Sequence, residues 1–477
     1  MARCYPRSRS RFPIVQTLYQ HQQVGADWLL ARRRAGLFDE PGLGKTATAV
    51  AAAESVLAAE PGARALVLAP TVVALNWARE WCAWSGRHAR DVLVVPTSRH
   101  ASYVGLAPVT VVPHSLLIRP EVRLAVLRRR WAACVLDEAH AFRSPSAKRS
   151  VAFFGVPRGE DQPARLRESV LERCDRAWFL TGTPIVNDVT DLWLMLASAF
   201  PERLAAPGTP APSLLAFARR YCHVRPSQYD PGWKVVANRQ EAMPELRKRL
   251  DGLFLRRTKA ECLDLPEVSY EDVQLAWDAP PSELLELEAS VGRKVMAAVE
   301  AAGDDPAGEL RALRDGVDVA RFRRLCGLCK VGPVAELAAL DLDGGEPKVV
   351  VFAHHADVVA GIAQRLAPYG VVTITGATPG PERQAAVDRF QLDPRVRVAV
   401  LNIVAGGVGV TLTAAALAIF AELSWVPGEN AQAADRIHRI GQGRRCRVRF
   451  CSLARTADVD VSRALRAKVR MIREVLR

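Results

Sequence analysis

The chain has 477 residues, 49% of them apolar, and carries 65 Lys and Arg against 51 Asp and Glu for a formal net charge of +14 at pH 7. That length is enough for two cores, since single cores stop growing well before it, and the charge suits a polyanionic partner and opposes an acidic one. No run of about twenty apolar residues occurs, which argues against a membrane span, and ten scattered cysteines without a dense framework fit a reducing, intracellular compartment, cytoplasmic or nucleoid in a microbe.

In chain order, residues 1–17 open with MARCYPRSRSRF, which has four arginines, no acid and no apolar secretion core. This reads as a basic arm, either disordered or simply solvated. Residues 18–200 form a first lobe of β-α units, with short apolar strands expected at Ala65–Ala69, Val92–Val95, Val109–Val112, Ala132–Leu136 and Ala177–Leu180. The Pro-rich stretch Pro201 to Pro212 marks a boundary. Residues 201–255 are expected to be a helical protrusion whose arginines face either a polyanionic partner or solvent. Residues 256–345 read as a linker and a charged helical insertion, with a break at Gly303 to Pro306. A second parallel set follows in residues 346–477, at Val349–Phe352, Val371–Ile374, Val396–Leu401, Leu417–Phe420 and Val448–Leu453, and closes on an amphipathic helix, Val459 to Leu476. The fold class is therefore α/β, with two tandem parallel-sheet lobes and helical insertions. The one close cysteine pair, Cys326 and Cys329, has no second pair or histidine at zinc spacing, and His354-His355 read as ordinary loop residues.

Three separated segments carry chemistry only when taken together. The first is DEPGLGKT, 39–46, placed between a short apolar stretch and an alanine-rich helix. Gly42 and Gly44 leave room for phosphate to approach backbone N–H groups at the positive end of that helix. Lys45 would reach the β and γ phosphates, and the Thr46 hydroxyl would ligate Mg2+. The widely used pattern begins with glycine, whereas this loop begins with Asp39, which points to a helicase-type subgroup. The second segment, LDEAH at 136–140, ends a buried strand, where open α/β sheets bind ligands. Asp137 would hold the hydrated Mg2+ and Glu138 would orient or deprotonate the attacking water; the alternative is that both only cap the following helix. The third is QAADRIHRIGQ, 432–442. Arg436 and Arg439, three apart on an expected helix, share a face and would bring positive charge to the γ-phosphate of ATP in the transition state.

With these segments the chain resembles the Swi/Snf-type ATPases, the branch of superfamily two helicases that moves along double-stranded DNA, from about residue 18 to about residue 453. His21-Gln22 with Gly25 and Trp28-Leu29 is similar to the motif that reads adenine, which implies Gln22 as the contact. Ala69-Pro70-Thr71 with Asn76-Trp77 and Glu80 resembles a motif on the DNA backbone, through Thr71 and Asn76. Leu180 to Ile185 with Asn187 resembles the motif coupling ATP to DNA, through Thr181 and Thr183. Leu255-Arg256-Arg257-Thr258-Lys259 is similar to the basic element introducing the second lobe, with Arg257 on the coupling path. In that lobe, Ile374-Thr375-Gly376 with Arg383 and Phe390 matches a further element, with Gly376 at DNA. Ala405 to Val410 with Leu412 to Ala415 resembles the glycine-rich motif at DNA and the lobe interface, which implies Gly409 near nucleotide and Thr411 near DNA. Trp425, Gln432 and the closing HRIGQ, 438–442, complete the set, with Trp425 and Gln432 on the DNA-contacting or coupling side. Phe420-Ala421-Glu422-Leu423 before Trp425 resembles the annealing-helicase branch more than the large nucleosome remodellers.

The resemblance implies RecA-like lobes, ATP and Mg2+ as cofactors, and double-stranded DNA as a partner bound with low sequence specificity. The expected activity is a DNA-stimulated ATPase translocating on duplex DNA. A strand-separating helicase, a non-hydrolysing DNA-binding scaffold, and the motor half of a restriction or phage-defence complex are the other readings.

Overall fold

The computed structural model describes residues 15–155, 168–185, 188–205, 209, 211–226, 232–277, 281–295, 297, 316–406 and 410–475. Residues 1–14 of the basic arm, the expected break at Gly303 to Pro306, Asn187 and Gly409 lie outside them. Among the described residues no helix is long and apolar enough to cross a membrane. The chain divides into two units between Cys262 and Leu263.

Unit 1 contains β1 (Arg34–Leu37), β2 (Ala65–Ala69), β3 (Val92–Val94), β4 (Val109–Pro113), β5 (Trp131–Leu136), β6 (Cys174–Leu180), β7 (Cys222–Pro226), β8 (Trp233–Asn238) and β9 (Phe254–Leu255). Seven of these form one sheet in the order β3-β4-β2-β5-β6-β1-β9, with every pair parallel. The inner strands β2 and β5 are buried along their whole length, as expected for strands covered on both faces. Phe38, Leu66, Leu68, Cys134, Leu136 and Phe179 belong to the core that packs on this sheet.

The protrusion is not wholly helical. Between the helices Leu214–Tyr221 and Met243–Leu250, strands β7 and β8 form a separate antiparallel ribbon. Alternation decides this: Cys222 and Val224 face the core, whereas His223 and Arg225 face out, and that period of two is a strand's. The basic element after the protrusion also differs from expectation. Phe254-Leu255 pairs with Gly36-Leu37 as the outer strand of the first sheet, so this segment is built into unit 1.

Unit 2 contains β10 (Val268–Leu275), β11 (Val349–Ala353), β12 (Val371–Ile374), β13 (Val398–Asn402), β14 (Leu417–Phe420) and β15 (Cys446–Leu453). They form a parallel sheet ordered β10-β15-β14-β11-β13-β12. Strand β10 lies within the segment expected to be linker and helix. It is an edge strand, mostly exposed or half-buried, so its polar sequence Val-Ser-Tyr-Glu-Asp-Val-Gln-Leu lacks an apolar run. Arg449 on β15 ties it in through Glu271 at 2.8 Å. Beyond the sheet, the helices Ser282–Leu287, Val317–Asp343 and Asp458–Val475 share a core with Trp425 through Leu284, Phe322, Cys326, Val461 and Leu465. Buried Lys330 joins two of these helices by pairing with Asp458 at 2.9 Å.

Candidate functional site

In unit 1 the candidate residues gather at the carboxyl ends of four adjacent strands, β2, β5, β6 and β1. The loop after β1 turns through Gly42 and Gly44 at φ 96° and 81°, left-handed conformations that cost an ordinary residue strain. It delivers Lys45 and Thr46 to the first turn of the helix Lys45–Ala59. The Lys45 ammonium donates to the carbonyl oxygens of Asp39 at 2.6 Å and Glu40 at 3.3 Å, so it is held folded over its own loop.

Asp137 and Glu138 follow β5. The Asp137 carboxylate accepts from the Trp77 indole at 2.8 Å and from the Glu138 backbone N–H at 3.0 Å. Burial, then the neighbouring Glu138 charge, push its carboxyl up to about 7. Glu138 sits at φ 48°, a conformation that costs a residue with a Cβ roughly 1–2 kcal/mol, and its carboxylate is 3.3 Å from His140 Nδ1. Only a short 3-10 turn follows, Ala139–Phe142, and no side chain caps it, so helix capping does not account for the acid pair.

The end of β6 joins the two. Thr181 Oγ1 lies 3.0 Å from His140 Nδ1 and accepts from the Thr183 backbone N–H at 3.1 Å. A Cβ at Gly182 would stand 2.8 Å from the Pro41 ring, so this segment abuts the glycine loop. After β2, Thr71 Oγ1 is 2.9 Å from Ser115 Oγ, and Asn76 donates to Glu80 at 2.7 Å.

Two residues have surroundings that the sequence did not anticipate. Gln22 is 2% exposed; its amide donates to Leu43 O at 3.2 Å and accepts from Tyr19 N–H at 3.0 Å, while the His21 ring is 2.9 Å from the same Leu43 oxygen. Reading adenine with Gln22 would require exchanging those bonds. Arg257, expected on the DNA-coupling path, pairs with Asp39 and donates to His21 O, with its side chain only 13% exposed. In this structure it is part of the glycine loop's support.

In unit 2 the helix Pro427–Ala434 ends before Arg436. Arg436 and Arg439 therefore lie on the turns that follow it, not on the helix face expected from their spacing. Arg436 is buried and its carbonyl accepts from Leu412 N–H at 3.0 Å. The Arg439 guanidinium donates to Val410 O at 3.1 Å and Thr411 Oγ1 at 3.0 Å. Gln442 clasps the same region by donating to Thr413, Ala415 and Ile437 carbonyls. Gly376 is exposed and Gln432 half-buried. Trp425, expected on the DNA-contacting or coupling side, is 3% exposed and stacks under the Arg323 guanidinium at 4.6 Å; its size and apolar surface are used in the core. His355, expected to be an ordinary loop residue, bonds through Nδ1 to buried Glu422 at 2.6 Å, and that carboxylate also accepts from the His354 and His355 backbones.

The sequence reading missed His140 as the link between the acid pair and Thr181, Trp77 as the partner that orients Asp137, and the pairing of Asp39 with Arg257. The departure of Asp39 from glycine was the one signal available for the last.

Glycine loop, acid pair and Thr-Gly-Thr on neighbouring strand ends of a parallel sheet, followed by a second parallel-sheet unit, define a helicase-like P-loop class. The SNF2-related domain signature matches residues 21–278, more than half the chain, and the helicase conserved C-terminal domain matches residues 333–441. The chain belongs to the SNF2-related family. It is 28% identical over 425 residues to the DNA annealing helicase and endonuclease ZRANB3 of Mus musculus, covering 87% of this chain and 37% of that one. It is 27% identical over 468 residues to the SWI/SNF-related matrix-associated actin-dependent regulator of chromatin subfamily A-like protein 1 of Xenopus laevis, covering 96% and 44%. The chain thus spans less than half the length of these relatives. Among solved structures, the Sulfolobus solfataricus SWI2/SNF2 ATPase core in complex with dsDNA is 22% identical, with a TM-score of 0.45 and coverage of 98% and 94%.

Proposed function

We propose that the protein is an ATP-hydrolysing motor stimulated by duplex DNA, which it tracks with little sequence preference. The observation that supports this most is the assembly of Lys45, Asp137, Glu138 and Thr181 after three neighbouring strands, β1, β5 and β6, of one parallel sheet, in a chain of the SNF2-related family.

The donor set suits Mg2+. A threonine hydroxyl and a carboxylate are hard oxygen ligands, and this ion takes one or two protein groups and fills the remaining positions with phosphate and water. A cation next to Asp137 also offsets the burial that pushes its carboxyl up. When bound, magnesium would neutralise charge between the β and γ phosphates.

In the proposed cycle the backbone N–H groups of Gly42 and Gly44 cradle phosphate, and Lys45 leaves the Asp39 and Glu40 carbonyls to reach it. Thr46 and Asp137 hold the ion, and Glu138 orients the attacking water. Arg436 and Arg439 would present positive charge to the γ-phosphate, and Gly409 would contact nucleotide, as the family resemblance implies. Thr71, Asn76, Thr183, Gly376, Thr411 and Gln432 would meet DNA, mainly at phosphates, which gives affinity that falls steeply with salt. Thr181, bonded to His140, would pass strain between the two sites.

The test is ATP turnover with and without duplex DNA, then displacement of a triplex-forming strand compared with unwinding of a forked duplex. DNA-stimulated turnover with triplex displacement supports the reading. Turnover with strong unwinding and no triplex displacement makes the protein a strand-separating helicase, and DNA binding without turnover makes it a scaffold.

A further inference from the structure

We propose that the outer face of the β7–β8 ribbon, centred on Arg225 and Lys234, is a contact surface for the phosphate backbone of double-stranded DNA. This rests on the duplex-motor reading and adds to it an element that none of the family motifs covers.

The ribbon's two faces are clearly different. Cys222 is buried, and Val224 and Val235 pack on the unit 1 core. Its base is pinned: Asn238 Oδ1 accepts from the Val189 N–H at 3.2 Å, and Arg239 donates through Nε to Cys222 O at 3.0 Å and through its backbone N–H to Tyr221 O at 2.8 Å. The other face carries His223, Arg225 and Lys234, all exposed, with Val236, which is 56% exposed, at the register shift beside His223 and Val224. A rigid inner face therefore holds a solvent-facing cationic row in place.

Within that row Arg225 lies directly opposite Lys234 in the antiparallel register. Side chains so paired stand about 4.5–5.5 Å apart at Cβ, and like charges there destabilise the sheet. Among the described residues no carboxylate pairs with either cation. A fold that keeps two unneutralised cations side by side accepts a cost that a polyanion would remove, the kind of local instability found at binding surfaces. Two flexible cations so close together can share one phosphodiester or bridge two. Both side chains are cationic hydrogen-bond donors, of the kind that make most contacts to phosphate oxygens. The shape agrees, because a two-stranded ribbon is one of the elements that fits against the grooves of B-form DNA.

The test is the full chain carrying Arg225→Gln and Lys234→Gln, titrated with a short labelled duplex over a salt series. Each phosphate contact contributes about 0.9 to the slope of log affinity against log salt, so the slope should become shallower by roughly 1.8 and affinity near physiological salt should fall roughly tenfold. The DNA concentration for half-maximal ATPase stimulation should rise, with basal turnover and ATP KM unchanged. Thermal stability without DNA should hold or increase, because a repulsive pair has been removed; a drop would show that the ribbon's cations serve the fold. Unchanged DNA affinity and slope would overturn the proposal, as would loss of binding to an acidic polypeptide with duplex binding intact. If the parent protein itself failed to bind duplex, the motor reading would fall instead.

Discussion

Arg257 and Asp39, 218 residues apart, form a two-pronged ion pair, with Nε to Oδ1 at 3.0 Å and Nη2 to Oδ2 at 2.5 Å. Around them the glycine loop is laced to the segment leading into unit 2. Phe38 N–H donates to Leu255 O at 2.7 Å, Glu40 N–H to Arg257 O at 3.0 Å, and Lys259 N–H to Glu40 Oε2 at 2.8 Å. Asp39 stands where the common phosphate-loop pattern has glycine, and the pairing gives the acid a physical reason.

Replacing Arg257 with alanine would leave the Asp39 carboxylate, 1% exposed, without its counter-charge. Breaking such a buried pair costs about 3–5 kcal/mol. The expected outcome is a less stable unit 1 and a raised KM for ATP, with affinity for DNA little changed. Adding Asp39→Asn in the same protein should recover part of the stability by removing the stranded charge. Thermal melts and steady-state ATP kinetics on the single and double variants check this. A fall in DNA affinity with unaltered KM would return Arg257 to the DNA path.

Glu138 is held in a left-handed backbone conformation beside Asp137, with His140 and Thr181 behind it. Glu138→Gln keeps the size and the backbone strain but removes the base. Turnover should fall by roughly 10²–10⁴, the usual contribution of a positioned acid or base, while nucleotide affinity is retained. Equilibrium binding of a fluorescent ATP analogue beside single-turnover hydrolysis separates the two effects. Hydrolysis at the parent rate would remove Glu138 from its assigned role.

Much of this site could be read from the sequence because its signals are local. The buried strands β2, β5, β11 and β14 are uninterrupted apolar runs, and the glycine loop and acid pair each sit at the end of a strand. What could not be read was set by partners far along the chain. Strands β9 and β10 are short or polar and gain their state only from β1 and β15. The β7–β8 ribbon lay hidden in a stretch whose basic residues resemble a helix face. The burial of Trp425 and the pairing of Arg257 with Asp39 were not legible from motif position, since a large aromatic ring and a bidentate guanidinium gain from packed or paired settings that distant residues supply. Arg436 and Arg439 fell outside their expected helix because it ends at Ala434.

The two arginines should respond differently to substitution. Arg439 is half-exposed, with a guanidinium that donates to Val410 and Thr411, so Arg439→Ala should leave unit 2 folded. If it serves the γ-phosphate, turnover should fall by about 10³–10⁵ with ATP affinity nearly unchanged, and lysine should restore little because it lacks the planar fork. Arg436 is buried, so Arg436→Ala should also lower the melting temperature. Equal turnover in Arg439→Ala and the parent would place that side chain outside the reaction.

Acid should weaken unit 1 through His114. Its ring is buried and meets Phe142 edge-on at 4.7 Å, with Arg149, His140 and Glu138 as the charged neighbours. Burial pushes the imidazole down from 6.5 to about 4. In that interval the unfolded chain binds a proton that the folded one refuses, so stability is complete above pH 6.5 and is lost as pH falls toward 4. At about 1.4 kcal/mol per unit, the loss from this one group reaches at most about 3 kcal/mol. His114→Gln cannot take up that proton, so its urea midpoint should decline less than the parent's between pH 7 and pH 5. Parallel declines in the two proteins would assign the acid sensitivity to other groups.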